Sequence, residues 1–118
     1  MAKLAIVILC DTETHADHGR LTNALELVKE TNQEGGDARI VFDGAGTRWV
    51  PQLTSDDGPM GKMFQSVKSA VDGACSFCSV AFDVKAEIQK TDISLLSDFE
   101  GHPSLHGYIA KGYQIITF

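Results

Sequence analysis

The run Leu4 to Cys10, LAIVILC, restricts the fold more than any other stretch. Half-exposed strands alternate apolar and polar residues. An unbroken apolar, partly β-branched run belongs to a strand covered on both faces, the habit of parallel sheets. Parallel neighbours need a crossover connection, usually a helix, and the sequence supplies candidates. Leu21, Ala24, Leu25 and Val28 recur at i, i+3, i+4 and i+7, which predicts a helix over about Arg20 to Thr31. Asp11 to Gly19 before it reads as a polar loop carrying His15 and His18. Gly35-Gly36 closes the helix in the usual fashion.

The same alternation continues. Ala38 to Phe42 predicts a second strand, ended by Asp43-Gly44. Gly44 to Gly58 is irregular, with a short helix around Trp49 to Leu53. Met60 to Val71 predicts a full helix, and Gly73 to Phe77 a short buried strand. Ser79 to Phe82 starts another helix, with Ser76 or Ser79 as N-cap, extending toward Gln89. Ile93 to Leu96 is a fourth strand. Pro103 suits the first position of a last helix, Ser104 to Lys111. Gly112 ends it, and Tyr113 to Phe118 is the final strand. The expected fold is α/β: a three-layer α/β/α arrangement around a parallel sheet of about five strands. At 118 residues the chain reads as a single domain, 1–118.

Charge and cysteine usage narrow the partners. A net charge of −6 argues against nucleic acid and anionic membrane surfaces. The apolar amino-terminal run leads into Asp11-Thr12-Glu13 rather than a small-residue cleavage site, so it reads as a strand and not a signal peptide. No run approaches membrane-spanning length. Three cysteines cannot all pair within one chain, which fits reduced thiols and a cytoplasmic setting.

In an open parallel sheet the strand carboxyl ends share one edge, where sites form. That edge should gather Cys10, His15 and His18 after strand one, then Asp43, Arg48 and Trp49 after strand two. Cys75 and Cys78 should follow strand three, and Asp98, Glu100 and His102 strand four. The two cysteines of Gly73–Val84, GACSFCSVAFDV, are the candidates for chemistry, since a helix start favours a thiolate. Cys75-x2-Cys78 also has metal-ligand spacing, which Cys10, His15 or His18 would have to complete. Without a second CxxC or an HxxxH partner, no metal and no cofactor is expected. A thioredoxin-like dithiol is disfavoured because no Trp or Pro flanks or divides the pair. Gly44 to Trp49, GAGTRW, lacks the third glycine and the strand-one placement of a dinucleotide loop, so it reads as a tight turn that places Trp49. Arg48 there is an anion-binding candidate, and Trp49, with Val50, Leu53 and Phe64, a candidate subunit contact.

The segments AIVILCDTE, GGDARIVFDGAG, CSFCSVAFDV and GHPSLHGYIAKGYQIITF resemble the DsrE/DsrF-like group of small α/β proteins over nearly the whole chain. In the group's sulfur carriers one cysteine follows the third strand in a pattern like C-x-x-A-x4-G-V. Cys75 falls at that position, with Cys78 where the Ala stands and Phe82-Asp83 where Arg-Gly precedes Val84. The resemblance implies a homo-oligomer, trimer or hexamer, that carries sulfur as a persulfide on Cys75, with a sulfur-relay protein as partner; Cys78 would then be a resolving or modulating thiol. The alternative is a non-enzymatic oligomeric module that binds a small ligand or protein and whose cysteines are structural.

Overall fold

A computed structural model describes residues 1–118. Five strands form one all-parallel sheet: β1 (Lys3–Ile8), β2 (Asp37–Phe42), β3 (Val71–Cys75), β4 (Leu95–Leu96) and β5 (Gln114–Thr117), in the order β4-β3-β2-β1-β5. Six helices connect them: α1 (His15–Gln33), α2 (Trp49–Thr54), α3 (Pro59–Val67), α4 (Ser76–Ala81), α5 (Lys85–Gln89) and α6 (Leu105–Ala110). No helix is long and apolar enough to cross a membrane.

Strand order explains the layers. From β1 through β4 the chain steps in one direction across the sheet, and right-handed crossovers keep the intervening helices on one face. Leu4, Ile6 and Ile8 of β1 and Ala38, Ile40 and Phe42 of β2 point to that face. There they pack with Leu21, Leu25 and Val28 of α1, Phe64 and Val67 of α3, and Ile88 of α5. The connection from β4 to β5 runs the other way, to the far edge beside β1, and the same handedness puts α6 on the opposite face. That face buries Ala5, Val7 and Val41. It also carries a polar network: Arg39 Nε donates to Asp72 Oδ1 at 2.8 Å, and the Tyr108 hydroxyl of α6 donates to the other oxygen of Asp72.

Several boundaries differ from the sequence expectation, each for a local reason. Helix α1 begins at His15 rather than Arg20, because Thr14 and Asp17 form a reciprocal capping box at its start. His15 and His18 are therefore helical, and Gly19 lies inside the helix. The carboxylate of Asp17 accepts bonds from Thr14 and is held below the usual range. A methyl group added at Gly19 would meet no atom within 4 Å. Gly19→Ala is thus expected to stabilise the protein by about 0.5–1 kcal/mol. Scanning calorimetry should show a melting temperature higher by about 2–6 °C; an unchanged or lower value would mean that the helix does not extend through this turn.

The helix expected to reach Val71 instead ends at Val67, and a 3-10 turn, Lys68–Ala70, leads into β3. Strand β3 runs two residues earlier than expected, so Cys75 is both its last residue and the N-cap of α4, in place of Ser76 or Ser79. Strand β1 ends at Ile8, short of Cys10. Ser104, not Pro103, begins α6 as its N-cap, by accepting from the Gly107 amide at 3.1 Å.

Candidate thiol and metal site

The ends of β2 and β3 and the loop after β4 converge on Cys75 and Cys78. At the β3–α4 junction the Cys75 Sγ accepts from the Cys78 amide at 3.4 Å. Ser79 Oγ donates to the Cys75 carbonyl at 2.7 Å. These bonds pin Cys75 and place Cys78 one turn further on. Asp43, at the end of β2, caps the 3-10 turn Gly44–Arg48 by accepting from the Gly44 amide at 2.9 Å. Its Oδ1 also accepts from the Cys78 thiol at 3.3 Å.

The fourth member arrives from further along the chain. Glu100 and Gly101 adopt positive φ, and an antiparallel bridge between Phe99 and His102 folds the loop back. The Phe77 amide donates to the Gly101 carbonyl at 2.9 Å and fixes this loop to α4. His102 Nδ1 then lies 3.3 Å from Cys75 Sγ, and the Phe77 ring covers the imidazole at 4.7 Å between centroids. One ligand atom each from Asp43, Cys75, Cys78 and His102 lies within 4.8 Å of every other.

The two thiols differ in environment. Cys75 is fully buried at 0% exposure, and Cys78 is half-buried. Burial pushes the Cys75 thiol up to about 12, the Cys78 amide bond pulls against this, and the Asp43 charge adds to the rise. The lowered thiol expected at a helix start is thus overturned at Cys75: desolvation dominates, and α4 has only six residues. Around the cluster, Leu9, Phe77, Val80, Phe82 and Phe99 are large apolar side chains left exposed. The surface concavity lined by Gln65, Lys68, Val71 and Ile93 touches none of the four donors.

The remaining candidates lie outside the cluster. Cys10 is buried, with its Sγ turned to the Asp17 carbonyl at 3.7 Å. Beyond Ile8 the Leu9 and Cys10 amides both bond Phe118, which carries the chain away from β2 and β3. His15 is exposed on the first turn of α1. His18 Nε2 sits 3.2 Å from the Thr12 carbonyl, and its ring meets Trp49 edge-on at 5.1 Å. Arg48 is engaged by two carboxylates, Asp11 at 3.0 Å and Glu13 at 2.8 Å. Trp49 corrects the sequence reading directly. Its indole is fully buried and donates to the Cys10 carbonyl at 3.0 Å. Val50, Leu53 and Phe64 are buried with it in the core, so this region offers neither a subunit contact nor a binding platform.

The sequence places all four members of the cluster on one sheet edge, in a wider set that also holds Cys10, His15, His18, Arg48 and Trp49. The signal joining them was positional: Asp43 directly follows β2, and His102 belongs to the loop that returns over β3.

No known family model matches the chain. The ychN protein of E. coli has the same fold, with a TM-score of 0.67 at 16% identity over 100% of both chains. BT1422 from Bacteroides thetaiotaomicron, a conserved protein of unknown function, gives 0.62 at 18% identity over 97% of this chain and 94% of that one. The uncharacterized protein MJ0733 of Methanocaldococcus jannaschii is 32% identical over 96 residues, 81% of this chain and 78% of its own. That identity over that span places the chain in the family of MJ0733.

Proposed function

We propose that this protein handles sulfane sulfur through the Cys75–Cys78 pair, as the DsrE/DsrF-like resemblance implies, but with the two roles exchanged: Cys78 takes the sulfur and Cys75 resolves it. The observation that carries the reading is the convergence of two reduced thiols, a carboxylate and an imidazole at the carboxyl ends of β2 and β3. Because Cys75 is sealed and Cys78 is not, Cys78 meets the donor. Its sulfur attacks the outer sulfur of a persulfide R–S–SH, and the S–S bond to R breaks. Asp43 takes the Cys78 thiol proton, which then passes to the departing R–S⁻. The products are R–SH and Cys78–S–SH, with no external oxidant or reductant. In a second step the Cys75 thiol attacks the inner sulfur, which leaves a Cys75–Cys78 disulfide and releases hydrogen sulfide. The exposed apolar rim is where a second copy or a sulfur-relay protein would seat, since such patches mark contact surfaces.

A test is to incubate metal-free protein with a small-molecule persulfide and weigh the intact chain. Cys75→Ser should gain and keep the mass of one sulfur atom. Wild type should pass through that species and end as the disulfide, lighter than the reduced chain by two hydrogen atoms, and Cys78→Ser should gain none. No added sulfur on Cys75→Ser, or equal loading of Cys78→Ser, would remove the reading. The burial of Cys75 favours the alternative of a binding module with structural cysteines, which predicts that unlabelled outcome.

A further inference from the structure

We propose that Asp43, Cys75, Cys78 and His102 bind one transition-metal ion of the zinc class. The geometry is near that of a coordination shell. In a zinc tetrahedron with Zn–S of about 2.3 Å and Zn–N or Zn–O of about 2.0–2.2 Å, neighbouring ligand atoms stand roughly 3.3–3.8 Å apart. The Cys78–Asp43 and Cys75–His102 contacts are both 3.3 Å, and no pair of the four donor atoms exceeds 4.8 Å. Small side-chain rotations would bring all four onto one centre.

Donor chemistry selects the metal. Two thiolates and an imidazole suit zinc and cobalt and disfavour magnesium and calcium, which prefer oxygen ligands. The carboxylate supplies a fourth ligand and a further negative charge. Arg48, at the end of the turn that Asp43 caps, is committed to Asp11 and Glu13. The two partners that a CxxC pair lacks come from other strand ends rather than from a second sequence motif.

The consequence is specific to this fold. The donors lie on three chain segments: the end of β2, the β3–α4 junction and the loop that follows β4. Strand β4 has only two residues, so few sheet hydrogen bonds hold that loop. A bound ion would clamp it to β2 and β3. Four protein ligands leave no open position, which is the pattern of a structural rather than a catalytic site. The ion would also occupy both thiols and so oppose sulfur loading. The metal proposal does not depend on the sulfur reading: a metal-free chain that fails to accept sulfur leaves it intact, and a chain that accepts sulfur without binding metal sinks it alone.

The full-length reduced protein, stripped with chelator, should be titrated with Co²⁺ and then Zn²⁺. One equivalent of cobalt should give visible bands of a tetrahedral site and a thiolate-to-cobalt charge-transfer band in the near ultraviolet, and zinc should abolish both. Cys78→Ser and His102→Ala change partly exposed side chains and should fold. Each should weaken binding by more than the roughly 10–100-fold that loss of an outer-shell partner costs. Cys10→Ser and His106→Ala should bind as wild type does. Absence of the charge-transfer band, or cobalt affinity unchanged in Cys78→Ser and His102→Ala, would overturn the proposal.

Discussion

Replacing Trp49 with alanine is expected to destabilise the protein by about 3–5 kcal/mol, the range for deleting a large buried aromatic. That is a large share of the roughly 5–15 kcal/mol by which a domain is stable. Two effects add. The indole is wholly enclosed between α1 and the end of β1, with His18 edge-on against it, so its removal leaves a cavity. Its N–H also satisfies the Cys10 carbonyl in a buried position, and an unpaired buried acceptor carries its own penalty of about 1–3 kcal/mol. Urea denaturation should show a midpoint lower by about 2 M, given slopes of about 1–3 kcal/mol/M. Trp49→Phe, which keeps most of the volume and loses the donor, should fall between the two. A midpoint for Trp49→Ala within about 0.5 M of wild type would mean that the side chain is not in the core. Any change in oligomer mass should only accompany unfolding, because no indole surface reaches outward.

The sheet was legible because its central strands carry their own signal. The unbroken run of β1 and the RIVF of β2 read as two-sided burial, and each is followed by a helical stripe or a turn. What was not legible depended on partners distant in sequence. Val71 reads as the end of a helix and Asp72 falls outside the expected strand, yet both belong to β3. Asp72 is tolerated there because Arg39 of β2 and Tyr108 of α6 both bond it. Neither partner can be seen within a local window. The start of α1 was misread for the opposite reason. The capping box of Thr14 and Asp17 is present in the sequence, inside the polar stretch Asp11 to Gly19 that reads as a loop.

The site divides along the same line. The spacing of Cys75 and Cys78 announced a thiol pair, and placement at strand ends made Asp43 and His102 candidates. Nothing local showed that the loop after β4 folds back over β3, because that fold rests on Phe99 pairing with His102 and on the Phe77 amide. Cys10 and Trp49 failed as site residues through packing. Both follow sheet strands, yet both turn into the protein, where the Trp49 N–H meets the Cys10 carbonyl. A strand end gives position along the sheet edge. It does not say whether a side chain faces solvent, a neighbour or the core.

Gly46→Ala should be among the most damaging single methyl groups in the chain. A Cβ at Gly46 would lie 1.9 Å from the Ile8 carbonyl oxygen and 2.6 Å from its carbon. Both atoms are backbone, so no flexible side chain can yield. Either the 3-10 turn lifts off the end of β1 or β1 itself shifts. Ile8 is held in register with Phe42, and its carbonyl accepts the Asp43 amide at 3.0 Å, so the turn should move. Overpacking of this kind costs about 1–3 kcal/mol and more where backbone must move; at least about 3 kcal/mol is expected here. The displacement reaches the site, because Asp43 caps the same turn and bonds the Cys78 thiol. Folded Gly46→Ala should therefore bind cobalt more weakly than wild type, with the carboxylate lost from the shell. Gly44→Ala is the matched comparison. Its Cβ would meet only the Leu9 side chain at 3.4 Å, and its positive φ of 53 limits the cost to about 1–2 kcal/mol. If the two variants unfold at the same urea concentration, close contact between the turn and β1 is not what fixes Asp43 beside the thiols.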